Sequence, residues 1–351
     1  MKNHLFSQTS TGLNLVAIGG GNGLSTLLEG LKKYVGKEQT KADGLKNLSA
    51  VVAVSDDGGS SGRLRDELQM LPPGDIRNCM VALSEDSLLM SKLFQHRFRG
   101  NGELGGHSFG NLFLAALSEI TGDFAEAVKI SSEILVSKGH IYPATMEDVR
   151  LIAELDSGEN ILGETNVGRV GSKIKKLRLE PETCHPLPEV LEAIREADII
   201  TIGPGSLFTS LIPPILVQGV AKEIAASSAV KIFICNLMTQ PGETEGLSAR
   251  RHLEIIKDHV PEIDFDHVIV NNHPINKVQA ERYESEGAKQ IGLADSISPQ
   301  TIENAEIIYG NLLDSDEKVR HHPDKLARVV MLCALRQFNP VNAKELELVT
   351  A

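Results

Sequence analysis

Two adjacent carboxylates, Asp56 and Asp57, close a short apolar run and open the stretch VVAVSDDGGSSGRLRDELQMLPPGDIRNCMVALSE, Val51 to Glu85. Gly58, Gly59, Ser60, Ser61 and Gly62 follow at once, then Arg63. Acids at the end of a strand can ligate Mg²⁺, act as a general base, or accept a hydrogen bond from a ligand hydroxyl. The same composition also suits a solvated turn, where Asp and Gly are common. Paired acids repel a phosphate unless a metal or nearby cations intervene, and Arg63, Arg65 and Arg77 are close in sequence. The segment therefore reads as a mobile polar loop delivered by a strand, with a polar, phosphorylated molecule as its natural occupant.

Five further groups of residues carry similar chemistry. Gly19, Gly20, Gly21, Asn22 and Gly23 lie between the apolar run Leu13–Ile18 and a helical pattern of leucines. A glycine turn at a helix start lets backbone N–H groups approach an anion. The spacing gives neither GxxxxGK[ST] nor a clean GxGxxG, because position 24 is Leu24. Asp75, Arg77 and Asn78 sit on the PPGDIRN turn. There Arg77 can fork two hydrogen bonds to a phosphate, or Asp75 can cap a helix and pair with it. In GGHSFGN, His107, Ser108, Gly110 and Asn111 precede a helix and suit an anion or hydroxyl contact; Gly106 to Gly110 has the letters of GxSxG, but no third group completes a Ser–His nucleophile. Gly203, Pro204, Gly205 and Ser206 follow another strand and can cradle a diphosphate or make only a tight turn. Asn236, Met238 and Thr239 lie in a polar loop whose amide and hydroxyl suit a base or sugar. His321 and His322 read as part of a solvated, charged face.

Positioning these loops requires strands with helices between them. Apolar runs at Leu13–Ile18, Leu48–Val54, Asp198–Ile202, Lys231–Cys235 and His267–Val270 alternate with helical patterns. That rhythm predicts a Rossmann-like, doubly wound and mostly parallel α/β sheet. In such a sheet the loops after Gly19, Ser55, Gly203, Asn236 and Asn271 share one edge, where ligands bind. Helices are expected over Asp75–Ser84, Leu88–Phe98, Asn111–Ile120, Phe124–Leu135, Pro188–Glu196, Leu247–His259 and Asp324–Gln337. Between 138 and 182 the helical period fades and a hairpin pattern appears. The expected organisation is an α/β core over 1–137 and 183–351 with a small β-rich insert at 138–182.

The chain has 351 residues, a formal net charge of −12, no tryptophan and 4% aromatic residues. Without basic clusters or stacking platforms it is a poor nucleic-acid binder. No apolar run reaches the length of a membrane span, and the N-terminal MKNHLFSQTSTG has no signal-peptide core. Cys79, Cys184, Cys235 and Cys333 lie too far apart in sequence for a metal-type CxxC pair. The expectation is a cytoplasmic protein with reduced thiols.

Together IGGGNGLSTLLEGLK, VSDDGGSSGRLRDELQMLPPGDIRNCMVALSE, GGHSFGNLFLAAL, EADIITIGPGSLFTSLIPP and CNLMTQPGETEG resemble the bacterial gluconeogenesis factor family, the YvcK-like proteins. That family lies in the superfamily of 2-phospho-L-lactate transferase, CofD. The resemblance implies a Rossmann-like core, binding of UDP-sugars such as UDP-N-acetylglucosamine, and a link to cell shape and wall-precursor supply on gluconeogenic carbon sources. It also implies that Asp56 and Asp57 correspond to an acidic loop that serves Mg²⁺-dependent transfer in the transferases. GGSSGRLRDEL departs from the transferase pattern and puts deazaflavin chemistry in doubt. Three readings follow. The first is a nucleotide-sugar-binding regulator, with homo-oligomers and protein partners among its expected contacts. The second is a Mg²⁺-dependent phosphoryl-linked transferase using Asp56 or Asp57. The third is a partner-binding module with a vestigial pocket.

Overall fold

Leu13–Gly19 (β1) is almost wholly buried, and Gly21–Leu31 (α1) turns Leu24, Leu27, Leu28 and Leu31 into the core. The glycines between them carry the chain from strand to helix without an intervening loop. A computed structural model describes residues 12–36, 44–85, 88–169, 174–292 and 301–338. Most of the polar N-terminal segment, and positions 37–43 of the polar connection that follows α1, lie outside the described residues.

After α1 and a 3₁₀ turn at Lys32–Tyr34 come β2 Leu45–Val52, α2 Gly59–Leu68, α3 Gly74–Leu83, α4 Leu88–Gln95, α5 Phe109–Thr121, α6 Phe124–Ile134 and β3 His140–Pro143. Next are β4 Arg150–Leu155, β5 Asn160–Leu162, α7 Glu164–Val167 and β6 Ile174–Glu180. The chain continues through α8 Pro188–Arg195, β7 Ile199–Ile202, a π-helical turn Leu207–Leu211, α9 Ile212–Leu216, α10 Val220–Ala226 and β8 Val230–Ile234. It ends with α11 Ala249–His259, β9 His267–Asn271, α12 Lys277–Ser285, β10 Thr301–Ile302, β11 Ala305–Gly310 and α13 Pro323–Phe338.

Eight strands form one sheet in the order β10-β11-β9-β8-β7-β1-β2-β3. Every pair is parallel except β10 with β11. The central strands are buried along their length, as expected of a parallel sheet covered on both faces. Register aligns their carboxyl ends, with Gly19 opposite Val52, Ile18 opposite Ile202, and Ile202 opposite Phe233. The five polar corners therefore share one edge. Strand order reverses direction at β1, which has β2 on one side and β7 on the other. That switch point is where a doubly wound sheet opens a crevice.

The β-rich insert is a three-stranded antiparallel sheet, β5-β4-β6. It differs at its leading edge from the span read in the sequence: His140–Pro143 pairs in parallel with β2 and is the outermost strand of the large sheet. With four residues and a proline, β3 is too short for its period to show. The segment read as a mobile loop after Asp57 is also different, since Gly59–Leu68 is helical. Gly62 lies so close to the Asp57 backbone that an added Cβ would stand 2.1 Å from its carbonyl oxygen. Arg65, 2% exposed, reaches from α2 to Asp148 and the Val149 carbonyl, tying α2 to the insert. Among the described residues no single helix is long and apolar enough to cross a membrane. The apolar stretch at 207–226 instead buries Phe208, Leu211, Ile212, Ile215 and Ile224 in the core.

Candidate functional site

A cleft of about 490 Å³ opens at the switch point. One wall is the turn into α1, Gly20, Gly21, Asn22 and Gly23. The floor is Pro204, Gly205 and Ser206 beyond β7, with Asn236, Met238 and Thr239 beyond β8. Gly19 and Gly203 close the strands beneath and do not line it. Tyr283, Glu286, Ala288, Val319, Arg320 and His321 form the opposite side.

Close backbone approach explains the glycines. An added Cβ on Gly23 would stand 2.2 Å from the Pro204 carbonyl oxygen, so the two loops touch main chain to main chain. Gly21 has φ +62°, a left-handed conformation that favours glycine. The N–H groups of Asn22 and Gly23 find no acceptor among the described residues. They lie at the positive end of α1, on residues that line the cleft, which suits an anion. Arg320 makes no ion pair among the described residues and supplies the cleft's full positive charge.

Several of the cleft's polar side chains serve the protein itself. Asn236 accepts from Gly205 N at 3.0 Å and donates to Gly205 O at 2.7 Å, clamping that loop in place. Thr239 Oγ1 accepts from Lys289 N at 2.8 Å. Ser206 Oγ accepts from Gln240 Nε2 at 2.5 Å and donates to Glu243 Oε2 at 3.2 Å. Asn236 and Ser206 therefore hold the loops that line the cleft.

The other sequence candidates gather behind the glycine turn. Asp75 joins the two groups: its Oδ2 accepts from Gly21 N at 2.7 Å and lies 2.6 Å from where a Gly20 Cβ would be. Burial raises its pKa to about 6, opposed by the Gly21 bond and reinforced by Asp56. Asp56 accepts from Gly58 N at 2.8 Å, and its other oxygen approaches Gly74. Ser61 Oγ packs against Gly74 as well. Arg77 is 6% exposed and donates to Asn78 Oδ1 and the Phe94 carbonyl, with Gly110 packed on its methylenes. Arg63 donates to the Gly105 carbonyl. Ser108 caps α5 by accepting from Asn111 N, so it is not the partner of its neighbour His107. The serine beside His107 is Ser60, 3.0 Å from Nδ1, and Asn111 Nδ2 donates to that hydroxyl. All three are buried, and the trio ties α2 to α5.

Asp57 faces the insert. Its Oδ1 accepts from both Thr165 N at 2.9 Å and Thr165 Oγ1 at 2.6 Å, in the first turn of α7. Replacing it by alanine should cost about 1–2 kcal/mol, as loss of a helix-terminal acceptor does, read from urea unfolding. Ligand affinity in the cleft should hardly change. Among the described residues, no group of three His, Cys, Asp or Glu side chains is arranged to hold a metal ion.

Sequence reasoning missed Glu164, Glu243, Arg320 and His321. Burial raises the Glu164 pKa well above its ordinary value, with Asp56, Asp75, Asp57 and Glu243 adding repulsion. Burial also raises Glu243, against hydrogen bonds from Phe208 N and Ser206. Neither sits in a sequence pattern that marks it; only the fold brings them toward each other. His321, read as solvated, is buried and lines the cleft.

The family model described as 2-phospho-L-lactate transferase CofD matches residues 15–313. The chain belongs to the CofD family. Within it, the chain is 42% identical over 318 residues to the gluconeogenesis factor of Halalkalibacterium halodurans, covering 91% of this chain and 95% of that one. It is 41% identical over 319 residues to the gluconeogenesis factor of Bacillus subtilis, covering 90% and 96%. A crystal structure of a Bacillus halodurans protein superposes with a TM-score of 0.84 at 41% identity, covering 91% of this chain and 99% of that one. This CofD-family chain therefore shares its fold and most of its length with the gluconeogenesis factors.

Proposed function

We propose that this CofD-family protein is a cytoplasmic regulator that binds nucleotide diphosphate-sugars, UDP-sugars such as UDP-N-acetylglucosamine being the ligand class. In this reading it couples that ligand to cell shape and wall-precursor supply during growth on gluconeogenic carbon sources. The observation that carries it is the meeting of the Gly20–Gly23 turn with Pro204–Ser206 at the switch point, inside a cleft large enough for a nucleotide. The unpaired N–H groups at the start of α1 and the Arg320 guanidinium provide for a diphosphate. Calorimetry with UDP-N-acetylglucosamine should give saturable heat, and silence at millimolar ligand rejects the reading. Arg320→Ala should weaken binding about tenfold, the loss expected for one exposed charge-assisted contact.

A second reading has one observation in its favour. Asp56 acts electrostatically on both Asp75 and Glu164 behind the glycine turn, and the last two have raised pKa values. Such carboxylates suit proton transfer or Mg²⁺-assisted phosphoryl-linked chemistry. Incubation with Mg²⁺, a deazaflavin and a guanylylated phospholactate should then yield product, and Asp56→Asn should abolish it.

A further inference from the structure

Three arginines gather around the start of α5 with no carboxylate to balance them. Arg63 Nη2 donates to the Gly105 carbonyl at 2.8 Å, and Arg97 Nη1 donates to the Gly106 carbonyl at 3.0 Å. Two guanidiniums are therefore anchored on successive residues of one loop. The Arg97 backbone bridges Ser108, the cap of α5, so the positive end of that 13-residue helix lies beside them. Arg77 stands behind. Burial, and then the charge of Arg97, hold its pKa below the ordinary value. Burial, Arg63 and Arg97 do the same to His107. Among the described residues no carboxylate forms an ion pair with Arg63, Arg77 or Arg97, whereas Arg65, Arg150, Arg195 and Arg336 each reach one. Glu67, one turn along α2 from Arg63, acts on His107 only from a distance.

Charge and shape select what such a place can hold. Cations this close raise one another's energy, and a bound anion relieves it. Each carbonyl takes one N–H from its guanidinium and leaves the others to give. Arg97 is exposed and Arg63 half-buried, so both keep surface that a ligand can reach. Two anchored forks, with further positive charge behind them, match a dianion with several oxygens better than a single carboxylate. A phosphomonoester carries about −1.5 to −2 charge at pH 7 and presents three strong acceptor oxygens. The phosphates of a UDP-sugar are diesters of smaller charge, and none of these arginines lines the switch-point cleft.

We propose that Arg63 and Arg97 form a second anion site, outside the nucleotide cleft, that takes a dianionic phosphate, free or as the terminal group of a small phosphomonoester. Arg77 adds charge from behind and does not touch the ligand. The site goes beyond the nucleotide reading and stands whether or not the cleft binds a UDP-sugar.

The test is calorimetry on the full chain with glycerol 3-phosphate, inorganic phosphate and dimethyl phosphate, a diester of single charge. One of the two dianions should give saturable heat, and dimethyl phosphate should bind about tenfold more weakly or worse. Tighter binding of glycerol 3-phosphate supports an organic monoester as the source, and tighter binding of inorganic phosphate supports the free ion. Arg97→Ala, an exposed position, should lose about tenfold in affinity for the preferred dianion and keep its affinity for UDP-N-acetylglucosamine. A parallel loss for the nucleotide sugar would make the arginines part of the cleft's own site and overturn a second one. His107 gives a readout that a structural role for Arg97 would not move. Bound dianion offsets the two cations that lower its pKa, so NMR titration of the wild-type histidines should show that pKa rising on saturation. No heat at millimolar dianion, equal binding of dianion and diester, unchanged affinity in Arg97→Ala, or an unmoved His107 each overturns the site.

Discussion

Gly23→Ala is expected to abolish measurable nucleotide-sugar binding. The new methyl would be placed 2.2 Å from the Pro204 carbonyl oxygen and 2.6 Å from its carbon, so main chain must move apart. Backbone cannot yield as a flexible side chain can, and forced overpacking costs about 1–3 kcal/mol or more. The displaced groups are the two loops that form the wall and floor of the cleft. A tenfold loss corresponds to about 1.4 kcal/mol, so an affinity loss of a hundredfold or more is expected. Gly139→Ala is the control. Its added methyl would lie 2.7 Å from the Leu48 carbonyl oxygen, at residues that do not line the cleft. That variant should unfold at lower urea while its folded fraction binds normally. Equal affinity of Gly23→Ala and wild type in calorimetry would refute the diphosphate site at this turn.

Asp75 should make ligand affinity depend on pH. The carboxylate occupies one N–H at the start of α1, behind the groups that face the cleft. Asp56 adds negative charge beside it, and Arg77 partly offsets that charge. A pKa raised from 3.8 to about 6 means that the folded state holds this proton more tightly than the unfolded chain. The associated stability is present below the unfolded value and is lost as pH rises through about 6. A shift of roughly two units corresponds to on the order of 3 kcal/mol. Bound diphosphate raises the pKa further, so binding takes up a proton and affinity should increase as pH falls. Both phosphates of a UDP-sugar are diesters with no ionisation near this range, so the ligand's own charge stays constant. Between pH 7.5 and 5 the gain should be about tenfold, consistent with a charge interaction of 1–2 kcal/mol at an effective dielectric near 20. Asp75→Asn should flatten the affinity profile and remove part of the fall in stability with pH. Parallel profiles for the two proteins would show that this carboxylate does not face the ligand's charge.

What the amino-acid order determined was the frame. Runs such as LNLVAIG and VKIFI are apolar at every buried position, so their strands and the parallel α/β class were legible from the sequence alone. Glycine and polar corners at the ends of those strands were legible too, because a parallel sheet places all such corners on one edge. Tertiary structure decided which corners line the cleft and which face the protein. Gly59–Leu68 has loop-like composition, yet it is a helix because Gly62 fits against the Asp57 backbone and Arg65 is anchored in the insert. Asp56 and Asp57 are adjacent in sequence but diverge, one toward Gly58 and Gly74, the other toward Thr165. Glu164 and His321 carry no local signature; long-range packing buries the first near Asp56 and Asp75 and sets the second in the cleft. Local order fixes periodicity and turn chemistry, whereas the environment of a side chain depends on residues a hundred or more positions away, as the Asp57–Thr165 contact across 108 positions shows.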